Sequence, residues 1–278
     1  MLYNISGKVD PSFIDVVLEV KNAADYLSIP FFIVGATARD FIFEHCYDIK
    51  SPRMTQDIDF GVKVPDWEKF KALSDALLTT GKFSKAKEKH RYIYKSIYID
   101  IVPFGSIADK DKKITWPPEH EIIMSTLGFE EAYQYAIIVR LSKEPELDVK
   151  LPTIPGLAIM KVISWNEKYP ERKDDAEDLL FIMKKYEYAG IETRLYQNEI
   201  SLLKEEDFDN RLAGIRLLGG DMAKISSSIT LNKIKEILSN ETVDQTHYRL
   251  ISDMVSIHDD FNEVLFMLKK LRQGILEG

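Results

Sequence analysis

The sequence predicts an α+β protein: a mixed sheet with flanking helices, followed by a helical region. Two observations carry this. Up to about residue 152, short runs rich in β-branched and aromatic residues, such as "IPFFIV" and "SIYIDIVPF", alternate with amphipathic stretches and turn residues. From Pro155 onward, apolar residues recur almost without interruption at helical spacing. Strands first and helices later, in a chain of 278 residues, argue for two domains, residues 1–152 and 153–278.

The elements follow in order. "SFIDVVLEVKNAADY" reads as an opening helix, and "IPFFIV" as a buried strand ending at Gly35. "GATARDFIFEHC" continues as a helix from that glycine. "DIDFGVKV" alternates as a strand does, and "DWEKFKALSDALLTTG" is a helix opened by Asp66 and closed by Gly81. "RYIYKSIYIDIVPFG" is one long strand or a hairpin, with Ile97, Ile99 and Ile101 on one face and Tyr98 and Asp100 on the other. Residues 128–152 predict two more strands around a turn at Glu144 and Pro145. Six helical segments follow, beginning with "PGLAIMKVISWNEKY" and "RKDDAEDLLFIMKKYE" and ending with "DDFNEVLFMLKKLRQ".

Composition narrows the function classes. With 45% hydrophobic and 29% charged residues the chain is an ordinary globular protein, and no apolar run is long enough to span a bilayer. The N-terminal residues lack the pattern of a signal peptide, and the single cysteine, Cys46, excludes an internal disulfide; both point to the cytoplasm. A net charge of -8 argues against coating nucleic acid through a general basic field. A local patch remains in "GKFSKAKEKHRYIYK", where Lys82, Lys85, Lys87, Lys89, Arg91 and Lys95 face only Glu88. It reads first as a solvated turn, and second as a surface for a triphosphate or an RNA backbone.

Four pieces carry chemistry. In "VGATARD" a strand turns at Gly35 into a helix, whose free N–H groups favour an anion, with the Thr37 hydroxyl as a further donor. In "TQDIDF", Asp57 and Asp59 stand two apart, so a strand throws both carboxylates onto one face, where their repulsion calls for a positive group. Asp100 stands alone among apolar neighbours in "IYIDIVPF", where a carboxylate is costly unless paired or metal-bound. Three carboxylates from two adjacent strands would suit one or two Mg²⁺ ions, or Mn²⁺, whose remaining ligands come from substrate phosphates.

"VGATARDFI", "TQDIDFGV" and the later Asp100 together resemble the opening motifs of the polymerase β-type nucleotidyltransferase superfamily, with Ala36 at the usual second glycine or serine. "LAIMKVISWNEKYPERKDDAEDLLFIM" is similar to the AbiEii-type members, and the resemblance covers residues 31 to about 183. It implies a nucleotidyltransferase fold in residues 1–152. It also implies a metal-dependent transfer of a nucleoside monophosphate from a nucleoside triphosphate to a hydroxyl. Asp57, Asp59 and Asp100 would be the metal ligands and catalytic carboxylates; Gly35, Ala36, Thr37 and Arg39 would meet the nucleotide. Lys161 would touch its triphosphate, set against Asp175 or its neighbour Asp174, with Asp178 on the same helix face as Asp175. The helical domain would contribute to the active-site cleft. The resemblance further implies an RNA or tRNA acceptor and the toxin role of a toxin–antitoxin or phage-defence pair, with a cognate antitoxin protein.

The bland counterparts are an acidic helix start and a solvated lysine, although Lys161 lies among Leu157, Ile159, Met160, Val162 and Ile163. "IHDDF" at His258 reads as a helix cap, and Trp116 as a packing residue under a loop. "EEDFDNR" at 205–211 has the wrong arginine spacing for base selection, and five histidines with one cysteine give no zinc set. The alternatives to RNA transfer are nucleotidylation of a small molecule such as an antibiotic, and a non-catalytic module that binds a nucleotide or a partner on the same fold.

Overall fold

A computed structural model describes residues 2–53, 55–243 and 247–278. The chain divides into two compact units, Met1–Thr153 and Ile154–Gly278.

The first unit is the α+β part. It runs β1 (Leu2–Asn4), α1 (Pro11–Tyr26), β2 (Phe31–Val34), α2 (Gly35–Asp40), a π-helical turn Phe41–Cys46, β3 (Ile58–Lys63), α3 (Trp67–Thr79), β4 (Phe83–Lys85), β5 (Arg91–Tyr94) and β6 (Ile97–Phe104). It continues through β7 (Lys113–Thr115), β8 (Ile123–Ser125), α4 (Phe129–Gln134), β9 (Ile137–Lys143) and β10 (Glu146–Leu151). The main sheet has the order β2-β3-β6-β5-β4. It is mixed: β3 and β6 are parallel, and their neighbours pair antiparallel. A second sheet, β1-β9-β10, is also mixed, with β1 parallel to β9. β7 and β8 form a separate ribbon.

The sequence accounts for these choices locally. Asp10 and Asp66 cap α1 and α3 by accepting the backbone N–H groups of Ser12 and Lys69, at 2.8 Å each. β3 is central and carries Ile58, Phe60 and Val62, all fully buried, so its apolar residues leave only Asp59 and Lys63 to reach outward. Gly61 is required at its position because a Cβ there would collide with the Phe32 ring. The "RYIYKSIYIDIVPFG" segment is a hairpin, β5–β6, turning at Lys95 with φ +55°.

Two predicted elements of this unit differ. "GATARDFIFEHC" is helical throughout, but its second half widens into the π turn. "GFEEAYQ", expected as strand, is α4, because Phe129 and Tyr133 are one helical turn apart and both reach the rings of Phe32 and Phe104, at centroid distances of 5.6–6.2 Å. Helical burial of two aromatics outweighs their strand propensity. After the π turn, residues 47–53 form loop, and Met54 lies outside the described residues.

The second unit is helical: α5 (Ile154–Lys168), α6 (Lys173–Lys185), a 3-10 turn Tyr186–Tyr188, α7 (Glu192–Gln197), α8 (Ile200–Glu205), α9 (Asn210–Ile225), α10 (Ser228–Thr242), α11 (Arg249–Met254) and α12 (Phe261–Glu277). "IETRLYQNEISLL" is therefore two short helices, α7 and α8, and α11 was not expected. Asp209, Ser227 and Asp260 cap α9, α10 and α12. The Asp260 cap accounts for the second aspartate of "IHDDF", while Asp259 accepts a hydrogen bond from Lys184. No helix among the described residues is long and apolar enough to cross a membrane.

Candidate functional site

The parallel pairing of β3 with β6 sets Asp59 directly opposite Asp100. Register partners on adjacent strands share a face, so two carboxylates stand side by side at one strand spacing, about 4.8 Å. Val34, the last residue of β2, is the register partner of Asp59, and next to it Gly35, opening α2, packs against the Asp59 carboxylate. The φ of Gly35 is +68°, and a Cβ there would strike Asp59 Oδ2, so both the backbone twist and the closeness of the carboxylate demand glycine. Asp57 lies in the coil just before β3. The glycine turn and the aspartates thus lie together beside the central strands of the main sheet.

Thr37 is buried, and its Oγ1 donates to the Asp57 carbonyl at 2.6 Å. That bond ties the turn to the strand carrying the carboxylates, which makes Thr37 a positioning group rather than an open donor. Ala36 and Gly35 are half-buried at the turn. Arg39, expected at the nucleotide, is instead fully buried. Its guanidinium donates to Asp40 Oδ1 and to the Arg53 carbonyl, both at 2.8 Å, and so buttresses the loop behind the turn.

Arg91 on β5 is the site residue that sequence reasoning placed only in a basic run. It stands opposite Asp100 in the hairpin and grips it with both arms, Nε to Oδ1 and Nη2 to Oδ2, at 2.8 Å each. The same Nη2 is 3.6 Å from Asp57 Oδ2. His90 Nε2 lies 3.7 Å from Asp100 Oδ2, and its ring packs against Trp116, which is buried among Trp67 and Phe70. The signal was available: a two-residue turn at Lys95 and Ser96 pairs Tyr94 with Ile97, and counting outward pairs Arg91 with Asp100. Partial burial pushes the Asp57 carboxyl above its ordinary range, opposed by Arg91 and reinforced by Asp100. The carboxylates in turn hold the Arg91 guanidinium still more firmly protonated.

Among the described residues no three carboxylate, imidazole or thiolate groups converge on a point that would hold a metal ion. The donor chemistry of Asp57, Asp59 and Asp100 suits Mg²⁺, but their arrangement does not fit it, because the cation facing Asp57 and Asp100 is Arg91.

The helical unit holds the other residues singled out. Lys161 of α5 projects between two carboxylates of α6, with Nζ 2.7 Å from Asp175 Oδ1 and 2.7 Å from Asp178 Oδ2. All three side chains are buried, whereas Asp174 is exposed, so Asp175 and Asp178 are the acids that face the lysine. Burial opposes both charges, yet the pairing wins: Lys161 is held above its ordinary pKa and Asp175 below its own.

The basic run 82–95 is mostly paired. Lys82, Lys89 and Lys95 meet Glu19, Glu119 and Asp15, and Lys85 lies over the Tyr92 ring.

No family model matches the chain, and no curated protein matches it. Solved structures do. The antibiotic-resistance factor ANT(2'')-Ia, in a solution structure, is 12% identical over 72% of this chain and 98% of its own, with a TM-score of 0.37. Its crystal structure with adenylyl-2''-tobramycin is 14% identical over 70% and 96%, with a TM-score of 0.38. A CCA-adding enzyme in complex with ATP is 16% identical over 92% of this chain and 66% of its own, with a TM-score of 0.33. These are remote likenesses, and the reading of the site stands on its own residues.

Proposed function

We propose that the chain is a nucleotidyltransferase that moves a nucleoside monophosphate from a nucleoside triphosphate to a hydroxyl. The observation that carries this reading is the in-register pair Asp59 and Asp100 with Gly35 packed against Asp59. Such an arrangement sets two carboxylates side by side next to a glycine turn. The Gly35–Thr37 turn receives the phosphates. The acceptor oxygen attacks the α-phosphorus, the bond to the β-phosphate bridging oxygen breaks, and pyrophosphate leaves. The hydroxyl proton passes to one of the carboxylates. Catalysis then rests on placing the reactants and matching charge more than on a protein nucleophile.

The acceptor has two readings. The family resemblance favours RNA, with the toxin role and antitoxin partner it implies. The ion pairs that neutralise Lys82, Lys89 and Lys95 favour instead a small molecule bearing a hydroxyl, such as an antibiotic, because they leave little positive surface for a polyanion. One experiment tests both the transfer and its acceptor. The full chain is incubated with Mg²⁺ and each labelled triphosphate, with total RNA in one arm and a panel of aminoglycosides in the other, beside Asp57→Ala and Asp59→Asn. Label in one arm that both variants lose identifies the acceptor. Equal label in all proteins, or none under any condition, favours a binding module without chemistry.

A further inference from the structure

We infer that Tyr98 is the acceptor-side platform of the site, on which the base of a nucleoside carrying the reacting hydroxyl stacks. The inference rests on the transfer reading above and deepens it by naming the residue that selects the acceptor and the chemistry it selects.

Val34, Asp59, Asp100 and Arg91 are successive register partners on β2, β3, β6 and β5, so they form one row across four strands, with Gly35 next to Val34. Tyr98 stands two residues before Asp100, on the same face of β6 and roughly 6.6 Å away along the strand, with half-buried Ile93 of β5 as its register partner. The opposite face is closed: Tyr92, Tyr94, Ile99 and Ile101 are buried there, and the Tyr92 hydroxyl donates to Ser74 of α3. Tyr98, in contrast, is 45% exposed. Its ring is nonetheless held in place. The Arg91 guanidinium, fixed on Asp100 by two hydrogen bonds, has its Cζ 5.2 Å from the Tyr98 ring centroid and its Nη2 3.6 Å from Asp57. One guanidinium therefore sets an open aromatic ring beside both carboxylates.

An in-line displacement puts the attacking oxygen opposite the leaving one. Pyrophosphate leaves on the Gly35 side, at the β2 end of the row, so the acceptor enters from the β6–β5 side, where Tyr98 and Ile93 offer apolar surface. A planar base gains most from such a ring, because stacking uses a whole π face of each partner. One stacked base calls for no basic track along a polynucleotide, so the ion pairs of Lys82, Lys89 and Lys95 do not count against it.

The probe is a trinucleotide RNA ending in 2-aminopurine, a base whose fluorescence is quenched by stacking, titrated with the full chain and with Tyr98→Phe, Tyr98→Leu and Tyr98→Ala. The parent and Tyr98→Phe should quench it alike, and Tyr98→Ala should bind it about 5- to 100-fold more weakly, the range for losing one stacked base. Tyr98→Leu keeps bulk without the π face; it should quench less than the parent, and it keeps the test open if a thermal melt shows Tyr98→Ala unfolded. In transfer to the same trinucleotide, the acceptor KM should rise by a similar factor in Tyr98→Ala while the triphosphate KM stays within about twofold. Equal binding by the parent and the folded variants, or no quenching by the parent, overturns the inference. So does a lower kcat with both KM values unchanged, because Tyr98 would then act only by steadying Arg91. Label that passes to an aminoglycoside and not to the trinucleotide overturns it as well. Failure of the two readings is distinguishable. Quenching that Tyr98→Ala loses, without label transfer to any acceptor, sinks the transfer reading and leaves Tyr98 as a base-binding surface; transfer with an unchanged acceptor KM sinks the platform alone.

Discussion

Two clusters in this molecule have the same composition, one cation and two carboxylates, and opposite characters. In the helical unit Lys161 is closed between Asp175 and Asp178, with side-chain exposures of 7%, 7% and 0%. In the α+β unit Arg91 lies between Asp100 and Asp57, with exposures of 28%, 12% and 40%. Burial decides what each can do. A dry cluster must keep every partner, because any charge left alone has no water to turn to. A half-wet cluster loses less when a partner is removed, because solvent screens part of the charge left behind. The first therefore reads as a clamp between α5 and α6, and the second as the half-exposed cluster of the candidate site.

The largest expected effect would break the comparison if absent. Lys161→Met leaves two carboxylates buried without a cation and should cost about 3–5 kcal/mol in urea unfolding. Arg91→Met, which leaves the buried Asp100 and the more exposed Asp57 without it, should cost less, about 1–3 kcal/mol. Similar losses in both would mean that the two clusters are equally structural.

Next comes activity. Asp59→Asn and Asp100→Asn should each lower label transfer by roughly 10²- to 10⁴-fold while the unfolding midpoint shifts little. A rate within about twofold of the parent would remove these carboxylates from the chemistry. Gly35→Ala should destabilise by about 1–2 kcal/mol from its left-handed backbone alone. It should also depress transfer, since its new methyl displaces the Asp59 carboxylate; calorimetric unfolding beside the transfer assay separates the two effects.

Acid sharpens the contrast further. Lys184 and Ser256 hold the Asp259 carboxyl down at about 2. Lys161 likewise outweighs burial and holds Asp175 below its ordinary range. A carboxyl depressed in the folded state stabilises above its unfolded pKa of about 4, and that contribution is lost as pH falls through the folded value. Unfolding midpoints should therefore drop below about pH 4, and Asp259→Asn should flatten part of that slope. Asp57 runs the other way, because its carboxyl is raised, so it contributes no such acid loss. The smallest effect concerns Cys46, whose thiol burial pushes up to about 11. Its alkylation at pH 8 should run about 100-fold slower than that of an ordinary thiol, read by mass spectrometry.

Much of the site was legible because its signals are short in range. The spacing of Asp57 and Asp59, the glycine after "FFIV" and the isolation of Asp100 are all visible within a few residues, and the structure brings Gly35, Asp59 and Asp100 together. Arg91 was hidden by its neighbours: among Lys82, Lys85, Lys87 and Lys89 it looked like one more surface charge, although the hairpin count pairs it with Asp100. Arg39 misled for the opposite reason. Its position just after the turn suggested a ligand, whereas the fold buries it against Asp40 and the carbonyl of Arg53. β1, three residues long, carries too little pattern to read, and its parallel partner β9 lies more than a hundred residues away.

Periodicity is a property of neighbours in the chain, and so the sequence by itself determined most of the strands and helices, where the glycine turn falls and which aspartates stand in tandem. The identity of each aspartate's counter-charge depended on registers that only the tertiary structure sets. The β3–β6 pairing put Asp100 beside Asp59, the α5–α6 packing closed Lys161 on Asp175 and Asp178, and the hairpin gave Arg91 to Asp100. Charges act over a few ångströms of space rather than a few residues of chain, and that distance is known only once the strands and helices have packed.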